Sequence, residues 1–492
     1  MCPGVERNAS HAARPGRVAG PRRRIAFYKA GGRAGGVALC AFVGLACAGQ
    51  RAPTANAVAH GAARAAAIRA ATPAVVDAAG RVPAREAEQA LGQAAATRAY
   101  RRRARALANA VERKTGSPLV RGNRTRLLID GPRTYQAMLA AVESARDHIH
   151  IETYIFADDE VGRRFADALV RKRRDGVAVR IIYDAIGSIA SDREFFAGMA
   201  AHGIEVAEFR PLGRSPLRRV NNRDHRKLTV VDGRVAFTGG LNISGTYSKA
   251  STSRPGPEHG LRSGWRDTHL EIRGPAVRRL QSLFLDSWAH LGRNVDAVPA
   301  ALYPELAEVG DDLVQVLASE GGDEELRIYD AYLAAIRNAE RRIWIAQAYF
   351  APNEEFRAAL VAATARGVDV RVIVPAFTDS ALIHHGSRAT YEELLDGGVA
   401  IYEHEEALLH AKTAVLDGVW SMVGSSNIDP RSFLHNDELN AAIVSEEIGR
   451  DMEDMFRRDL ETSRRIDPEA WRARPAGDRV KEFLSSLLRH WL

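Results

Sequence analysis

Residues 225–232, with the sequence HRKLTVVD, combine a histidine, a lysine and an aspartate at regular spacing. An imidazole can attack an electrophile or move a proton, and an ammonium group can neutralise a nearby anion. Side chains two apart in a β-strand point to the same face, so His225 and Lys227 would meet at one spot. Taken alone, the segment is more simply read as an edge strand with a polar solvent face. A second copy of the pattern favours a functional role instead.

That second copy lies in LLHAKTAVLDG, where His410, Lys412 and Asp417 have the spacing of the first set. Each histidine is followed 17 residues later by an asparagine after a turn of small residues, at Asn242 and at Asn427. Two matching sets on two matching segments are hard to explain as solvent-facing polar residues. The duplicated pattern therefore predicts a functional site.

The flanking sequence repeats as well, with residues 145–188 corresponding to residues 339–380. Each copy has the pattern of an apolar strand, an amphipathic helix, a Gly-Val pair and an alternating strand. Helices that alternate with strands predict a layered α/β fold in each copy. We expect two tandem, pseudo-symmetric α/β/α sandwich domains, at 118–305 and 306–475, called the first and second halves below.

The stretches DHRKLTVVDGRVAFTGGLNIS, WRDTHLEIRGPAV, GVDVRVIVPAFTDS and LLHAKTAVLDGVWSMVGSSNIDPRSF resemble the phospholipase D superfamily, and within it the bacterial cardiolipin synthase type. The resemblance covers roughly residues 118–475. It implies one active site shared by both halves and a phosphatidyltransferase that converts two phosphatidylglycerols to cardiolipin and glycerol. A phospholipase D that hydrolyses phospholipids is the main alternative. A nuclease and an inactive membrane-binding protein are further ones.

The expected chemistry needs two histidines in different protonation states. A neutral one attacks phosphorus and holds the phosphatidyl group, and a protonated one donates to the departing hydroxyl. The resemblance assigns attack to His225 and acid-base work to His410. Lys227 and Lys412 would neutralise the phosphate oxygens, so we expect no metal and no cofactor. The expected substrate-binding residues are Asn242, Asn427 and Ser425.

The motif aspartates belong to the catalytic pattern but also precede glycine, and Asp-Gly is a strong hairpin signal. Asp232 and Asp417 are therefore expected in turns. Asp267 and Glu438 occupy equivalent strands and are the expected carboxylates that orient the histidines. Matching strand positions, with a structural or pocket-lining role, are also assigned to Glu152 and Gln347 and to Tyr154 and Tyr349.

Charge is divided unevenly along the chain. Residues 1–116 contain 20 Lys and Arg against 5 Asp and Glu, whereas the remaining 376 residues contain 49 against 56. An acidic body does not suit a surface that grips nucleic acid, whose footprint is basic. A phospholipid substrate and an anionic membrane surface are the expected partners, and the protein is expected to be a monomer.

The ends of the chain have their own patterns. Residues 1–48 join a basic segment, the short apolar run VALCAFVGLA and the small-residue site Ala46-Cys47-Ala48, which predicts a signal peptide or N-terminal anchor. A lipoprotein signal acylated at Cys47 and a misassigned start codon are the alternatives. Residues 49–117 read as an Ala/Arg-rich linker and basic helix, and 476–492 as an amphipathic helix. The expected location is the bacterial cell envelope, with the protein exported or attached to the membrane through its N-terminus.

Overall fold

The computed structural model describes residues 72–213, 221–249, 251, 264–294, 299–322, 325–378 and 381–487. The predicted signal peptide or anchor, the first part of the linker and residues 488–492 lie outside the described residues. Within them a single mixed β-sheet runs through both halves of the chain.

The chain enters the fold through a short strand and two helices. Strand β1 (Val75–Val76) pairs with β2, and helices α1 (Ala84–Ala94) and α2 (Arg98–Thr115) follow. Helix α2 is the expected basic helix, and it packs Leu107 and Val111 into the core of the second half. Its Arg102 pairs with Glu340 at 2.6 Å. The helix is thus a packed part of the body, and its arginines are partly used within the chain.

The first half alternates strands and helices as its sequence predicts. Its elements are β2 (Leu119–Ile129), α3 (Asp130–Ser144), β3 (His148–Thr153), α4 (Glu160–Arg174), β4 (Ala178–Asp184), α5 (Arg193–Ala201), β5 (Glu205–Phe209), β6 (Lys227–Val231), β7 (Val235–Gly239), β8 (Thr268–Arg273), α6 (Val277–His290) and α7 (Pro299–Leu302).

The second half repeats this order and adds a C-terminal extension. Its elements are β9 (Asp312–Ser319), α8 (Arg327–Asn338), β10 (Arg342–Gln347), α9 (Glu354–Ala365), β11 (Asp369–Pro375), α10 (Ala381–Arg388), α11 (Tyr391–Asp396), β12 (Ala400–His404), β13 (Lys412–Leu416), β14 (Trp420–Gly424), α12 (Pro430–Leu434), β15 (Glu438–Val444), α13 (Glu446–Glu461), β16 (Ser463–Arg465), α14 (Pro468–Arg472) and α15 (Ala476–Leu487).

The sheet is symmetric about the pair β2 and β9. Outward from β2 the strand order is β8-β7-β6-β3-β4-β5, and outward from β9 it is β15-β14-β13-β10-β11-β12, with β16 at the edge. The outer helices of each half cover an apolar core of their own. A third core lies beneath α6 and α13 and contains residues of both halves. The predicted pair of tandem α/β sandwiches is confirmed.

The register of the sheet corrects one pairing inferred from the sequence. Lys227 lies opposite Thr153, and Lys412 lies opposite Gln347. Gln347 is therefore the counterpart of Thr153, one residue away from the expected Glu152. Because successive strand residues face opposite sides of a sheet, this single step changes the face on which a residue lies.

Both motif aspartates occupy hairpin turns with left-handed backbone, at φ 53° for Asp232 and φ 56° for Asp417. The Asp232 carboxylate accepts hydrogen bonds from three backbone N–H groups that lead into β3, at 2.8–2.9 Å. Asp417 does the same at the start of β10, at 2.7–3.0 Å. Each lies at the far end of its strand from the motif histidine, seven residues along the chain and roughly 23 Å away at ~3.3 Å per residue. Asp232 and Asp417, although part of the catalytic pattern in the sequence, therefore have a structural role in their turns.

Replacing Asp232 with Asn should destabilise the fold. The Asn side chain tolerates the turn but has one acceptor oxygen and no charge, so backbone donors lose partners worth about 1–3 kcal/mol in total. Urea denaturation should show this loss. Arg234→Ala, in the exposed part of the same turn, should change the unfolding free energy by under about 0.5 kcal/mol. Equal stability of both variants would contradict the structural role.

Candidate active site

The site forms where β3 and β10 end and β6 and β13 begin. Lys227 and Lys412 are the first residues of their strands, and each histidine precedes its strand by two residues. The other half holds each histidine in place through its backbone. The His225 N–H donates to the Asp437 carbonyl at 2.9 Å, and the His410 N–H donates to the Arg266 carbonyl at 2.7 Å. The structure thus brings both motifs to one place.

The imidazoles are paired with carboxylates across the two halves. His225 Nδ1 lies 3.0 Å from both carboxylate oxygens of Glu438, which belongs to the second half. His410 Nδ1 lies 2.7 Å from Asp267 Oδ2, which belongs to the first half. Asp267 and Glu438 are the carboxylates expected from the sequence. The exchange of partners between halves is visible only in the structure.

Each carboxylate selects one tautomer of its histidine. An ionised carboxylate only accepts hydrogen bonds, so it favours the proton on Nδ1 and leaves a lone pair on Nε2. The contacts that fix the two rings are all made by Nδ1 and leave Nε2 unused. His225 and His410 therefore each present a basic nitrogen to the site.

Burial sets the charge of the basic groups. It lowers the pKa of His225 to about 4, and it lowers the pKa of His410 to about 4, with the Lys412 charge acting in the same direction. Burial also lowers the pKa of Lys227 to about 7, against the opposing effect of Glu438. Both imidazoles are thus neutral at pH 7, and Lys227 is poised at half charge. An anion entering the site would raise all three values.

Ser425 is a partner of Glu438. Its hydroxyl donates to Glu438 Oε2 at 2.5 Å, and Asn436 Nδ2 donates to Glu438 Oε1 at 3.2 Å. Burial acts to raise the pKa of Glu438, but His225, Lys227 and Ser425 outweigh it and hold the pKa below its usual value. Ser425, expected to bind substrate, is instead engaged in keeping this carboxylate ionised.

The two motif asparagines differ in their surroundings. Asn242 Oδ1 accepts from the Ile155 N–H at 3.1 Å, and its Nδ2 donates to the Tyr247 hydroxyl at 3.1 Å. That hydroxyl lies 3.3 Å from His410 Nδ1. Asn242 therefore positions Tyr247 and the end of β3. Asn427 is buried, and its Oδ1 has no hydrogen-bond partner among the described residues.

Aromatic rings form the walls beside the histidines. Tyr154 meets His225 edge-on, with ring centroids 5.0 Å apart, and the Lys227 ammonium lies 5.3 Å from the Tyr154 ring centroid. The Trp265 ring lies 5.1 Å from the His410 ring. Sequence reasoning missed Trp265 and Tyr247. The available signal was the position of Trp265, two residues before Asp267 and thus on the same side of an extended chain.

Comparison with known proteins shows the family of the chain. A family model described as cardiolipin synthase, PLD-like domain, matches residues 138–251 and 332–460. A cardiolipin synthase of Geobacillus sp. (strain WCH70) is 37% identical over 376 residues, covering 76% of this chain and 73% of the relative. Cardiolipin synthase 1 of Bacillus anthracis is 33% identical over 391 residues, covering 78% and 75%. The chain belongs to the cardiolipin synthase family.

A solved structure shows the same fold at low sequence identity. The phosphatidylserine synthase of Haemophilus influenzae Rd KW20 superposes with a TM-score of 0.59 and 11% identity, over 78% of this chain and all of that one. At this identity the likeness concerns the fold alone.

This member of the cardiolipin synthase family holds its first motif by a buried ion pair. Arg223 Nε donates to both oxygens of Asp184, at 2.9 and 3.1 Å, and both side chains are buried. Asp184 also accepts from the Asp224 N–H at 3.0 Å. The register of the second half places Pro375 and Leu408 at the equivalent positions. A buried ion pair thus anchors the first motif, whereas the second half has uncharged residues at both equivalent positions.

The described part of the chain contains neither a metal-binding cluster nor a membrane-spanning helix. No cluster of three or more His, Cys, Asp or Glu side chains there could hold a metal ion. No helix in the same residues is both long and apolar enough to span a bilayer.

Proposed function

We propose that the protein transfers a phosphatidyl group between two phosphatidylglycerol molecules, forming cardiolipin and releasing glycerol. The observation that carries the proposal is the crossed pairing of two histidines with two carboxylates beside two lysines. This arrangement offers two basic nitrogens and a cationic cradle for one phosphodiester. The names of the relatives support cardiolipin as the product.

In the first half-reaction, His225 Nε2 attacks phosphorus and the bond from phosphorus to the headgroup glycerol oxygen breaks. His410 donates its Nε2 proton to that oxygen, so glycerol leaves as a neutral alcohol. Glu438 accepts the Nδ1–H of His225 and stabilises the positive charge that develops on the imidazole. A phosphatidyl group is then bound to His225.

In the second half-reaction, His410 Nε2 takes the proton of a hydroxyl on a second phosphatidylglycerol. The oxygen attacks phosphorus, the bond from phosphorus to His225 breaks, and cardiolipin forms. His410 is again protonated and His225 neutral, which restores the starting state. Lys227 and Lys412 neutralise the phosphate oxygens in both steps.

The acid role of His410 needs a proton that the empty site does not hold at pH 7. A bound phosphodiester brings a negative charge close to both imidazoles and to Lys227, and an opposite charge raises a pKa. Asp267 stabilises the imidazolium further. We infer that substrate binding is coupled to proton uptake at His410, so the acid is formed only when there is a leaving group to protonate.

The residues around the histidines divide into two groups under this mechanism. Ser425 orients Glu438, and Asn242 orients Tyr247. Asn427 remains the candidate for substrate contact, through its buried Oδ1. Asp232 and Asp417 fix the motif strands. We place the protein in the bacterial cell envelope, in contact with a phospholipid bilayer, and expect a monomer.

Hydrolysis to phosphatidic acid is the alternative outcome of the same intermediate, with water in place of the second lipid. Thin-layer and mass-spectrometric analysis of products from phosphatidylglycerol, with and without added alcohol, distinguishes the two. Cardiolipin and glycerol are expected, with an alcohol adduct when alcohol is added. Phosphatidic acid as the main product under both conditions would reject transfer.

His225→Ala and His410→Ala should each abolish turnover, because one group must attack while the other donates. His410→Ala retains the nucleophile and should accumulate a covalent phosphatidyl-enzyme, whereas His225→Ala should not. Phosphate-labelled phosphatidylglycerol followed by denaturing electrophoresis measures the adduct. His202→Ala, at an exposed position on the surface, is the matched control and should keep full activity. Label in His225→Ala alone would reverse the assignment.

Glu438→Gln should lower kcat by about 10²–10⁴-fold, because the charge that stabilises the His225 imidazolium is lost while side-chain size is kept. Asp267→Asn should act similarly through His410. Asp232→Asn should keep kcat within a few-fold, since it touches only the turn. Measuring kcat and Tm together separates chemistry from folding. An inactive, stable Asp232→Asn beside an active Glu438→Gln would refute the crossed pairs.

Affinity for a non-reactive phosphonate analogue of phosphatidylglycerol should fall as pH rises through about 7. Burial lowers the pKa of Lys227 from 10.5 to about 7, so its charged form is present below pH 7 and lost above it. Calorimetric Kd values between pH 6 and 9 measure the effect. Lys227→Arg keeps its charge throughout and should remove the part of this dependence that comes from Lys227, leaving the part that comes from proton uptake at His410. A flat profile in the unmodified protein would contradict both the titration of Lys227 and the proton uptake at His410.

A further inference from the structure

Helix α15 presents its apolar side outward and its polar side inward. At 100° per residue, Val480 and Leu484 lie on one side of the helix, and Glu482 and Ser485 lie on the opposite side. Val480 and Leu484 are 56% and 55% exposed, whereas Glu482 and Ser485 are 2% and 6% exposed. A surface helix of a globular protein has the reverse arrangement, with its apolar stripe against the core.

Ion pairs fix this inverted orientation. The buried Glu482 carboxylate lies 2.9 Å from Arg474 Nη2 and 3.6 Å from Arg388 Nε. A buried carboxylate that loses its cationic partners is strongly destabilised, so the helix cannot roll its apolar side inward without that loss. Val480 and Leu484 are thus held toward the outside of the fold.

Helix α15 lies near the carboxyl ends of the parallel strands, as the active site does. It packs on α10, which follows the C-terminal end of β11. Arg479 of α15 lines a cavity with Ala351 and Pro352, which follow the end of β10. The end of β10 is where Gln347 lies opposite Lys412. The outward face of α15 therefore borders the region in which the two motifs meet.

Other exposed apolar side chains also lie near the carboxyl ends of the strands. Ile189, 66% exposed, follows the C-terminal end of β4, and Leu212, 44% exposed, follows the end of β5. Val309 is 37% exposed and lies at the opposite end of the strands from the active site. Its N–H donates to the Gly122 carbonyl near the start of β2. Large exposed apolar groups of the described residues are therefore concentrated on the side of the active site.

The charges beside the apolar stripe indicate what covers it. Arg479 and Lys481 are exposed and lie about 100° to either side of Val480. Apolar groups flanked by Lys and Arg are typical of helices that lie in a bilayer interface, where the cations reach anionic headgroups. A protein partner would not require cations on both flanks.

We propose that the outward face of α15, formed by Val480 and Leu484 between Arg479 and Lys481, docks on an anionic phospholipid bilayer and holds the active-site edge against it. The proposal rests on the proposed function, because the enzyme would meet its lipid substrate at the membrane surface. Docking by this face would let a lipid headgroup enter the site while its acyl chains remain in the membrane.

A local probe tests the docking without interference from the N-terminal segment. In the full chain with Cys2, Cys40 and Cys47 replaced by serine, Leu484→Cys is labelled with an environment-sensitive fluorophore. Vesicles of phosphatidylcholine with 30% phosphatidylglycerol should shift its emission to the blue and raise its intensity at least twofold. A label at Val309→Cys, on the opposite edge, should show no change.

Two results would overturn the proposal. An unchanged emission at position 484 while the protein cosediments with vesicles would mean that another segment binds the membrane. A blue shift without vesicles that grows with protein concentration would mean that a second copy of the chain covers α15. Both readouts are independent of turnover, so the docking is decided even if phosphatidylglycerol is not a substrate.

Kinetics provide a second readout. The double variant Val480→Ser/Leu484→Ser should raise KM for vesicle-bound substrate at least fivefold and leave turnover of dispersed short-chain substrate unchanged. Val309→Ser should affect neither. A loss on both substrates with a lower Tm would show that the stripe only stabilises the fold, and the proposal would fail.

Discussion

The crossed pairing of His225 with Glu438 and of His410 with Asp267 is the interaction on which the rest of the structure depends. Neither half contains a complete histidine-carboxylate pair, so neither can form the site alone. The pairing requires the two halves to meet where β3 and β10 end and where β6 and β13 begin. The continuous sheet through β2 and β9 and the core beneath α6 and α13 provide this rigid junction. A misplacement of about 1 Å would lengthen the 2.7 Å contact of His410 beyond hydrogen-bond reach.

Burial of so many basic groups is costly and has a chemical use. Desolvation keeps both imidazoles neutral and Lys227 near half charge, so the empty site carries less positive charge than its composition implies. The carboxylates offset part of this cost, and a phosphodiester would offset the rest. An uncharged ligand would bring no such compensation. We therefore expect the site to favour an anionic group such as a phosphodiester.

Much of the fold and the centre of the site could be predicted because duplication made them visible. The repeat of His225 and Lys227 at His410 and Lys412 revealed the two halves, and alternation of elements gave the sheet. The exchange of carboxylates could not be predicted, since either pairing satisfies the same local pattern. The hydrogen bond from Ser425 to Glu438 could not be predicted, because a serine in a turn looks the same in sequence whether it faces a ligand or a carboxylate. The match of Gln347 with Thr153 is contained in the repeat itself, since the offset that joins residue 145 to 339 also joins 153 to 347.

The two halves have diverged where their histidines would need different work. A Cβ at Gly240 would clash with Asp267, whereas the equivalent position in the second half is Ser425, whose hydroxyl donates to Glu438. Glu438 thereby gains an extra donor that holds it ionised. His410 instead has the Tyr247 hydroxyl nearby, and burial keeps the pKa of Tyr247 well above its usual value, so that group stays protonated. A symmetric fold therefore surrounds two equivalent imidazoles with unequal partners, which is the physical condition for one to attack and the other to carry the proton.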